Sequence, residues 1–512
     1  MKRITQPLFW FSILLYFAFQ IPLYVWVQTA EYDEAIYLNV ARSISKTGLA
    51  MRTMGEGFLH VDHPTLYQHG IGLLYYFWGD QTFVFRLLTS IAGAGILVVV
   101  WRIVKGIKDE WSAFVAVIIL AVNPFFHRYA FFIREEISMC LFILLAIFNL
   151  MKDHQDSNQK KHIYWISAWL GLAFLTKELS LIFSAFAILY LFLTGTNLKD
   201  RLFRAVVPTT GVAVGFGVWV TWIYLVDPSR FRAVFSRWAA LIAGGSGGGG
   251  FDVQVAAGWL KIITTSILTP TMVAIFLIGC LMLVYQSVRS KSADRFIWFV
   301  ALYPFFAVAV SLLISLKRDR HIMPIIFVTA IAIGLTIDWQ RLFSWTGKSV
   351  FRSSLALLVA GLILFEMSPV QIPENWNRFD QYWEDVYFQR LIINDRHYGV
   401  LQQAGVALGE KTAEDEIIVV VNEGPVVGYY ADRHYLFLYT EKYDQIIEHL
   451  KHAEWLVADA DIYLKLANQE KEELLKIIDC GFDLNIEIID PFRRIEILRK
   501  NETIQFETCL PG

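Results

Sequence analysis

Thr82–Trp101 reads TFVFRLLTSIAGAGILVVVW, and Arg102, Lys105 and Lys108 follow it. Twenty mostly apolar residues ended by a basic cluster describe a transmembrane helix. A bilayer core of about 30 Å is crossed at 1.5 Å per residue, and a helix pairs its own backbone groups on the way. Similar runs lie near 7–28, 112–127, 137–151, 162–176, 179–195, 205–226, 259–285, 296–315, 322–338 and 351–368, about eleven in all. A chain of 512 residues with 56% hydrophobic residues and mean hydropathy +0.46 is too apolar for a soluble globular protein. The expected fold is a polytopic α-helical membrane protein.

Lys and Arg set its orientation. Lys2 and Arg3 start inside. The same side carries Arg102, Lys105 and Lys108; Lys152, Lys160 and Lys161; Lys199, Arg201 and Arg204; Arg289, Lys291 and Arg295; and Arg341, Lys348 and Arg352. The N-terminus is therefore expected inside, and everything after about residue 369 outside. The first run is long and lacks a small-residue cleavage site before Glu31-Tyr32-Asp33-Glu34, so it reads as a retained helix.

Composition changes near residue 370. Residues 371–512 carry 14 Lys and Arg against 27 Asp and Glu, a net −13 that leaves +11 for residues 1–370. Two domains are expected: 1–370 in the membrane and a soluble extracytoplasmic α/β domain, 371–512. Glu416–Val421, Tyr435–Leu438 and Glu454–Val457 read as buried strands, and 467–478 as an amphipathic helix. The acidity argues against nucleic acid as a partner. Cys140 and Cys280 read as small core residues; Cys480 and Cys509 fall where a disulfide is permitted but not required. The glycine-rich stretch Gly244–Gly250 reads as a mobile lid or a plain connector.

Opposite the basic loops, five charged patches share the outer side: Asp33-Glu34, Asp62-His63, Arg134-Glu135-Glu136, Lys177-Glu178 and Lys317-Arg318-Asp319-Arg320-His321. The loop from 29 to 81 carries two of them. Ile36, Val40 and Ile44 recur at helical spacing and Gly48 stops the helix, giving an amphipathic helix lying on the membrane with Asp33 and Glu34 at its N-terminus. That pair reads equally as a helix cap, since helix N-termini favour negative charge. His63 precedes Pro64, which holds it extended. The apolar stretch that follows, to Trp78, is too short to span.

In order and sidedness these patches resemble the glycosyltransferase C superfamily, and within it the bacterial relatives of protein O-mannosyltransferase and aminoarabinose transferase. Asp33-Glu34 matches an Asp-Glu pair at the start of the first outside loop. His63-Pro64-Thr65-Leu66 matches a basic-Pro-Pro-Leu sequence, with Thr65 departing. Asn123-Pro124 and Arg134-Glu135-Glu136 match an Asn-Pro turn and an Arg-x-Asp sequence, with Glu136 for aspartate. Gly171–Lys177 matches Gly-Leu-Ala-x-Leu-Thr-Lys. Lys317–Pro324 matches Lys-Arg-x-Arg-Tyr-x-x-Pro, with His321 for tyrosine. The likeness covers roughly 7–340 and leaves the tail aside.

The resemblance implies an enzyme that transfers a hexosyl or pentosyl group, with inversion, from a polyprenyl phosphate to an acceptor hydroxyl of a glycan, lipid or protein at the extracytoplasmic face. It gives the role of base to Asp33, with Glu34 beside it. His63, Arg134, Glu136, Lys177, Arg318, Arg320 and His321 are the candidates around the substrate and its phosphate, because cations stabilise the charge that gathers on a departing phosphate. Cations anchored by snorkelling near lipid phosphates are the plainer reading of the same residues. No cofactor is specified; Asp62, His63 and His321 could ligate a divalent metal. Readings from other classes are a transporter or flippase, and a scaffold that binds a partner through its outer domain. Ionisable residues gathered at one interface, and no internal repeat, weigh against transport.

Overall fold

The structure, a computed structural model, describes residues 5–52, 58–60, 63–156, 159–228, 231–232, 234–236, 257, 260–261, 263–264, 268, 270–290, 294–313, 322–339, 388–413, 415–421, 423–438, 442–459, 468–490 and 493–510. The chain forms two compact units that interleave along the sequence: Met1–Leu23, Val61–Tyr67 and Val84–Arg390 in the first, and Tyr24–His60, Gln68–Phe83 and Leu391–Gly512 in the second.

The first unit is helical. Its elements are α1 (Thr5–Trp26), which runs on into the second unit; α4 (Thr82–Ile107), which begins there; α5 (Glu110–Ala121), α6 (Pro124–Phe131), α7 (Glu135–Gln155), α8 (Lys161–Thr176), α9 (Ser180–Thr194), α10 (Leu198–Val226), α11 (Pro270–Ser290), α12 (Arg295–Leu313) and α13 (Pro324–Thr336). Among the described residues six helices are long and apolar enough to cross a membrane, α1, α4, α7, α10, α11 and α12. A seventh span is made if α5 and α6, bent by 68° at their junction, count as one. The chain is thus a multi-pass membrane protein. Trp10, Leu14 and Ile21 of α1, and Val218 and Leu225 of α10, are more than half exposed, as lipid-facing side chains of such helices are.

Of the eleven expected spans, one is broken and several are short helices. Residues 112–127 fold as the bent pair because Asn123 caps a new helix, its Oδ1 accepting from Phe126 N–H at 2.8 Å with Pro124 in the first turn. The runs near 162–176, 179–195 and 322–338 become helices of 16, 15 and 13 residues. The run near 351–368 and the glycine stretch lie outside the described residues. Helices α8 and α10 cross closely. A Cβ on Gly171 would meet the Gly211 carbonyl oxygen at 2.7 Å, and Ser167 Oγ donates to the Val207 carbonyl at 2.7 Å.

The second unit is mixed. Around α2 (Tyr32–Thr47), the β1–β2 hairpin (Met51–Arg52 and Phe58–Leu59) and α3 (Leu66–Trp78, which begins in the first unit), it assembles α14 (Phe388–Lys411), β3 (Ile417–Val420), α15 (Gly424–Ala431), β4 (His434–Phe437), α16 (Tyr443–His452), β5 (Trp455–Asp459), α17 (Asn468–Gly481), β6 (Phe482–Asp490) and β7 (Arg493–Lys500). Five strands order as β4-β3-β5-β7-β6, with β3 parallel to β4 and β5, and β7 antiparallel to β5 and β6. Val419 stands opposite Leu436 and Leu456 in a core closed by Ile446, Leu450, Leu474 and Ile478. Cys480 and Cys509 are disulfide-bonded, joining the end of α17 to a final 3-10 turn.

Candidate functional site

Three separate stretches supply one buried ionic cluster in the first unit. α8 ends at Thr176, and Lys177 leaves the helix in an extended conformation. Its Nζ donates to Glu135 Oε1 at 2.8 Å and to Glu136 Oε1 at 2.7 Å, all three residues being almost wholly buried. Those glutamates occupy the first turn of α7, where the helix dipole favours carboxylates, and Arg134 is its N-cap. The Arg134 guanidinium lies 5.1 Å from the centre of the Tyr129 ring and 5.9 Å from that of Phe132.

His63 comes from the loop before α3. Its Nδ1–H donates to Glu178 Oε1 at 2.9 Å, and Glu178 is buried while His63 keeps an accessible edge. Burial by itself would lower the His63 pKa, but the charge and hydrogen bond of Glu178, with Glu135 behind it, raise it above the ordinary histidine value against the opposing charge of Lys177. Burial would likewise raise Glu178; His63 and Lys177 hold it below the usual glutamate value instead. Glu178 Oε2 and Ser180 Oγ, both buried, have no hydrogen-bond partner among the described residues.

His63, Glu136 and Lys177 are therefore brought together, and Glu135 and Glu178, not among the chosen candidates, are part of the same cluster; Arg134 adjoins it through the backbone of α7, its guanidinium against the Tyr129 and Phe132 rings. Lys177 departs from what was expected of it: its charge is directed at two glutamates. The other candidates fall elsewhere. Asp33 and Glu34 stand in the first turn of α2, in the second unit. Glu34 is fully buried and its Oε2 accepts from Glu31 N–H at 3.1 Å, the capping arrangement. Asp62, Arg318, Arg320 and His321 lie outside the described residues. Among those described, no three of His, Cys, Asp and Glu are grouped so as to hold a metal ion.

Arg86 was missed. It sits one turn into α4, 3% exposed, with its guanidinium 4.6 Å from the centre of the Phe131 ring and 5.8 Å from that of Phe132, the ring Arg134 also faces. The available signal was an arginine inside an apolar run, at the end away from its basic cluster.

Comparison with known proteins bears out the resemblance. Residues 62–225 match the family described as dolichyl-phosphate-mannose-protein mannosyltransferase. The crystal structure of ArnT from Cupriavidus metallidurans bound to undecaprenyl phosphate is similar to this chain with TM-score 0.62 at 12% identity, over 98% of this chain and 99% of that one. The archaeal oligosaccharyltransferase AglB from Archaeoglobus fulgidus, in complex with an inhibitory peptide and a dolichol-phosphate, is similar with TM-score 0.59 at 11% identity, over 98% of this chain and 75% of that one. At such identities the shared property is the fold. No curated protein matches the chain.

Proposed function

We propose that this chain transfers a monosaccharide, with inversion, from a polyprenyl phosphate to an acceptor hydroxyl at the extracytoplasmic membrane face. The observation that carries the reading is the assembly of His63, Glu136 and Lys177, motif residues from separate stretches, into one largely buried ionic cluster within the matched segment, with Arg134 beside it as the N-cap of α7. A buried network of that kind is retained where a site must be held in one geometry.

In the proposed reaction the acceptor O–H gives its proton to the Asp33 carboxylate as the acceptor oxygen bonds to C1 of the sugar. The C1–O bond to phosphate breaks, and its electron pair leaves with the polyprenyl phosphate. Arg134, half-accessible His63, and Arg318 and Arg320 are the groups for the phosphate charge, since charge-assisted contacts to an anion are the strong ones. Lys177, neutralised by Glu135 and Glu136, orients those glutamates. Buried Glu178 Oε2 and Ser180 Oγ offer hydrogen-bonding capacity for sugar hydroxyls. A histidine whose ring N–H is fixed by a carboxylate also suits a metal ligand; turnover after chelation and readdition of Mg²⁺, Mn²⁺ or Zn²⁺ checks that role.

The test is release of undecaprenyl phosphate by the purified full chain in detergent, offered undecaprenyl-phosphate mannose, glucose, galactose and aminoarabinose with short glycan, lipid and peptide acceptors. One donor should be consumed with inversion at C1. Movement of intact donor across a vesicle membrane with no bond broken would show a transporter instead.

A further inference from the structure

Asp33 stands in the first turn of α2, and α2 is held at both ends by residues nearly 400 positions further along the chain. At the N-terminal end Ala30 N–H donates to the Tyr430 hydroxyl at 2.9 Å. Tyr398 lies close to Glu31, Asp33 and Glu423; burial first, then those carboxylates, raise its pKa, so its hydroxyl keeps its proton. Ten residues further on, Arg42 spends its whole guanidinium. Nε donates to Tyr75 Oη at 3.0 Å, one terminal nitrogen to the Tyr429 carbonyl at 3.1 Å and Asp432 Oδ1 at 2.6 Å, and the other to Asp80 Oδ2 at 2.9 Å. The same group stacks 4.8 Å from the Tyr429 ring centre, and the Tyr429 hydroxyl donates to Asp80 Oδ1 at 2.5 Å.

The grip comes from α15, a helix of eight residues bounded by two non-glycine residues in the left-handed region, Glu423 at φ 55° and Asp432 at φ 50°. Backbone held there is strained and persists only where its surroundings enforce it. The turn at Asp432 is what presents Tyr429, Tyr430 and Asp432 together to α2. On the remaining side α3 closes on α2 so tightly that a Cβ on Gly72 would meet Ile44 at 2.6 Å.

We propose that Arg42, Tyr430 and Asp432 are positioning residues for the transfer: the C-terminal α/β segment clamps α2 and thereby fixes where the Asp33 carboxylate points. This rests on the proposed role of Asp33. A base must meet the acceptor proton within hydrogen-bonding reach, and a misplacement of about 1 Å is enough to cost on the order of 100-fold in rate.

The experiment compares full-length wild type, Arg42→Gln, Arg42→Lys and Tyr430→Phe. Amide hydrogen exchange of residues 32–47, affinity for undecaprenyl phosphate, and turnover of the donor panel are measured on each. Tyr430→Phe removes one hydroxyl and keeps the ring, so it reports even if Arg42→Gln folds poorly. The expected result is faster exchange in α2, undecaprenyl phosphate affinity within about twofold of wild type, and kcat lower by about 10- to 100-fold, with Arg42→Lys recovering part. Unchanged exchange, or faster exchange with wild-type kcat, overturns the clamp. An affinity loss equal to the loss in kcat/KM overturns it too, by showing general loosening. If the variants loosen α2 but wild type itself consumes no donor, the transferase reading fails, and the catalytic half of this proposal with it.

Discussion

Two ion clusters each tie a piece of the first loop to a distant stretch of chain, and they differ in how much water reaches them. In the first unit His63 meets Glu178 beside Lys177 and its two glutamates, and every member but His63 is nearly dry. In the second unit Arg42 is well covered, but its partners Asp80 and Asp432 are 38% and 51% exposed. A buried charge left without its partner destabilises strongly, whereas an exposed pair contributes little. The same arrangement of charges thus serves two ends: the dry cluster is bound up with folding, and the wet one can set geometry at small cost to stability.

The contrast is broken most severely at Lys177. Lys177→Ala strands Glu135 and Glu136 in the interior and should destabilise the chain by about 3 to 5 kcal/mol, seen as lost folded yield and a lower thermal midpoint in detergent. Lys177→Met combined with Glu135→Gln and Glu136→Gln should restore most of that stability without restoring activity. Full stability of the single variant would show that the cluster is not dry.

Next in size is the covalent tie of the second unit. Opening the Cys480–Cys509 bridge, whose cysteines lie 29 positions apart, by Cys480→Ser with Cys509→Ser should cost about 3 to 4 kcal/mol from the greater freedom of the unfolded chain. Proteolysis of residues 391–512 measures it, and helices of the first unit should keep their exchange protection.

His63→Gln should cost about 1 to 3 kcal/mol, in a pH-dependent way. His63 has a raised folded pKa, so its contribution is complete below the ordinary value of 6.5 and is lost as pH rises through the raised value. Glu178 has a lowered one, so its contribution is complete above 4.5 and is lost as pH falls through the lowered value. The wild-type advantage over His63→Gln should peak between those two values and shrink by pH 9; a flat difference in thermal midpoint across that range would contradict the ion pair. The smallest effect belongs to the wet cluster: Asp432→Asn should change stability by only about 0.2 to 1 kcal/mol.

Local physics was legible in the sequence, and long-range pairing was not. α2 was readable because its start, periodicity and stop are local: the acidic first turn, the apolar spacing, and Gly48, which takes φ 75° at the C-cap. Its buried side is wider than the Ile36–Val40–Ile44 stripe, running through Ala35, Leu38 and Ala41, because α2 packs against α15 and α3 as well. No periodicity announces a partner 390 residues away, so the composition boundary at 370 did not reveal that residues 24–60 share a compact unit with residues 391–512, α2 packing on α15. Strands β3, β4 and β5 fall on the apolar runs expected of them. The β6–β7 pair, Phe482–Asp490 with Arg493–Lys500, was missed because charged residues punctuate both strands. At Lys177 the sequence shows a cation at the end of an apolar helix but not the glutamates that claim it.

Substitution of Asp33 separates chemistry from architecture most directly, because Asn keeps the shape and capping ability of Asp while removing the proton acceptor. The measurement is turnover of the accepted undecaprenyl-phosphate sugar by Asp33→Asn, alongside undecaprenyl phosphate affinity and exchange in α2. Turnover should be abolished with affinity and exchange unchanged, and Glu34→Gln should lose less. Near wild-type turnover by Asp33→Asn would contradict the assignment of the base.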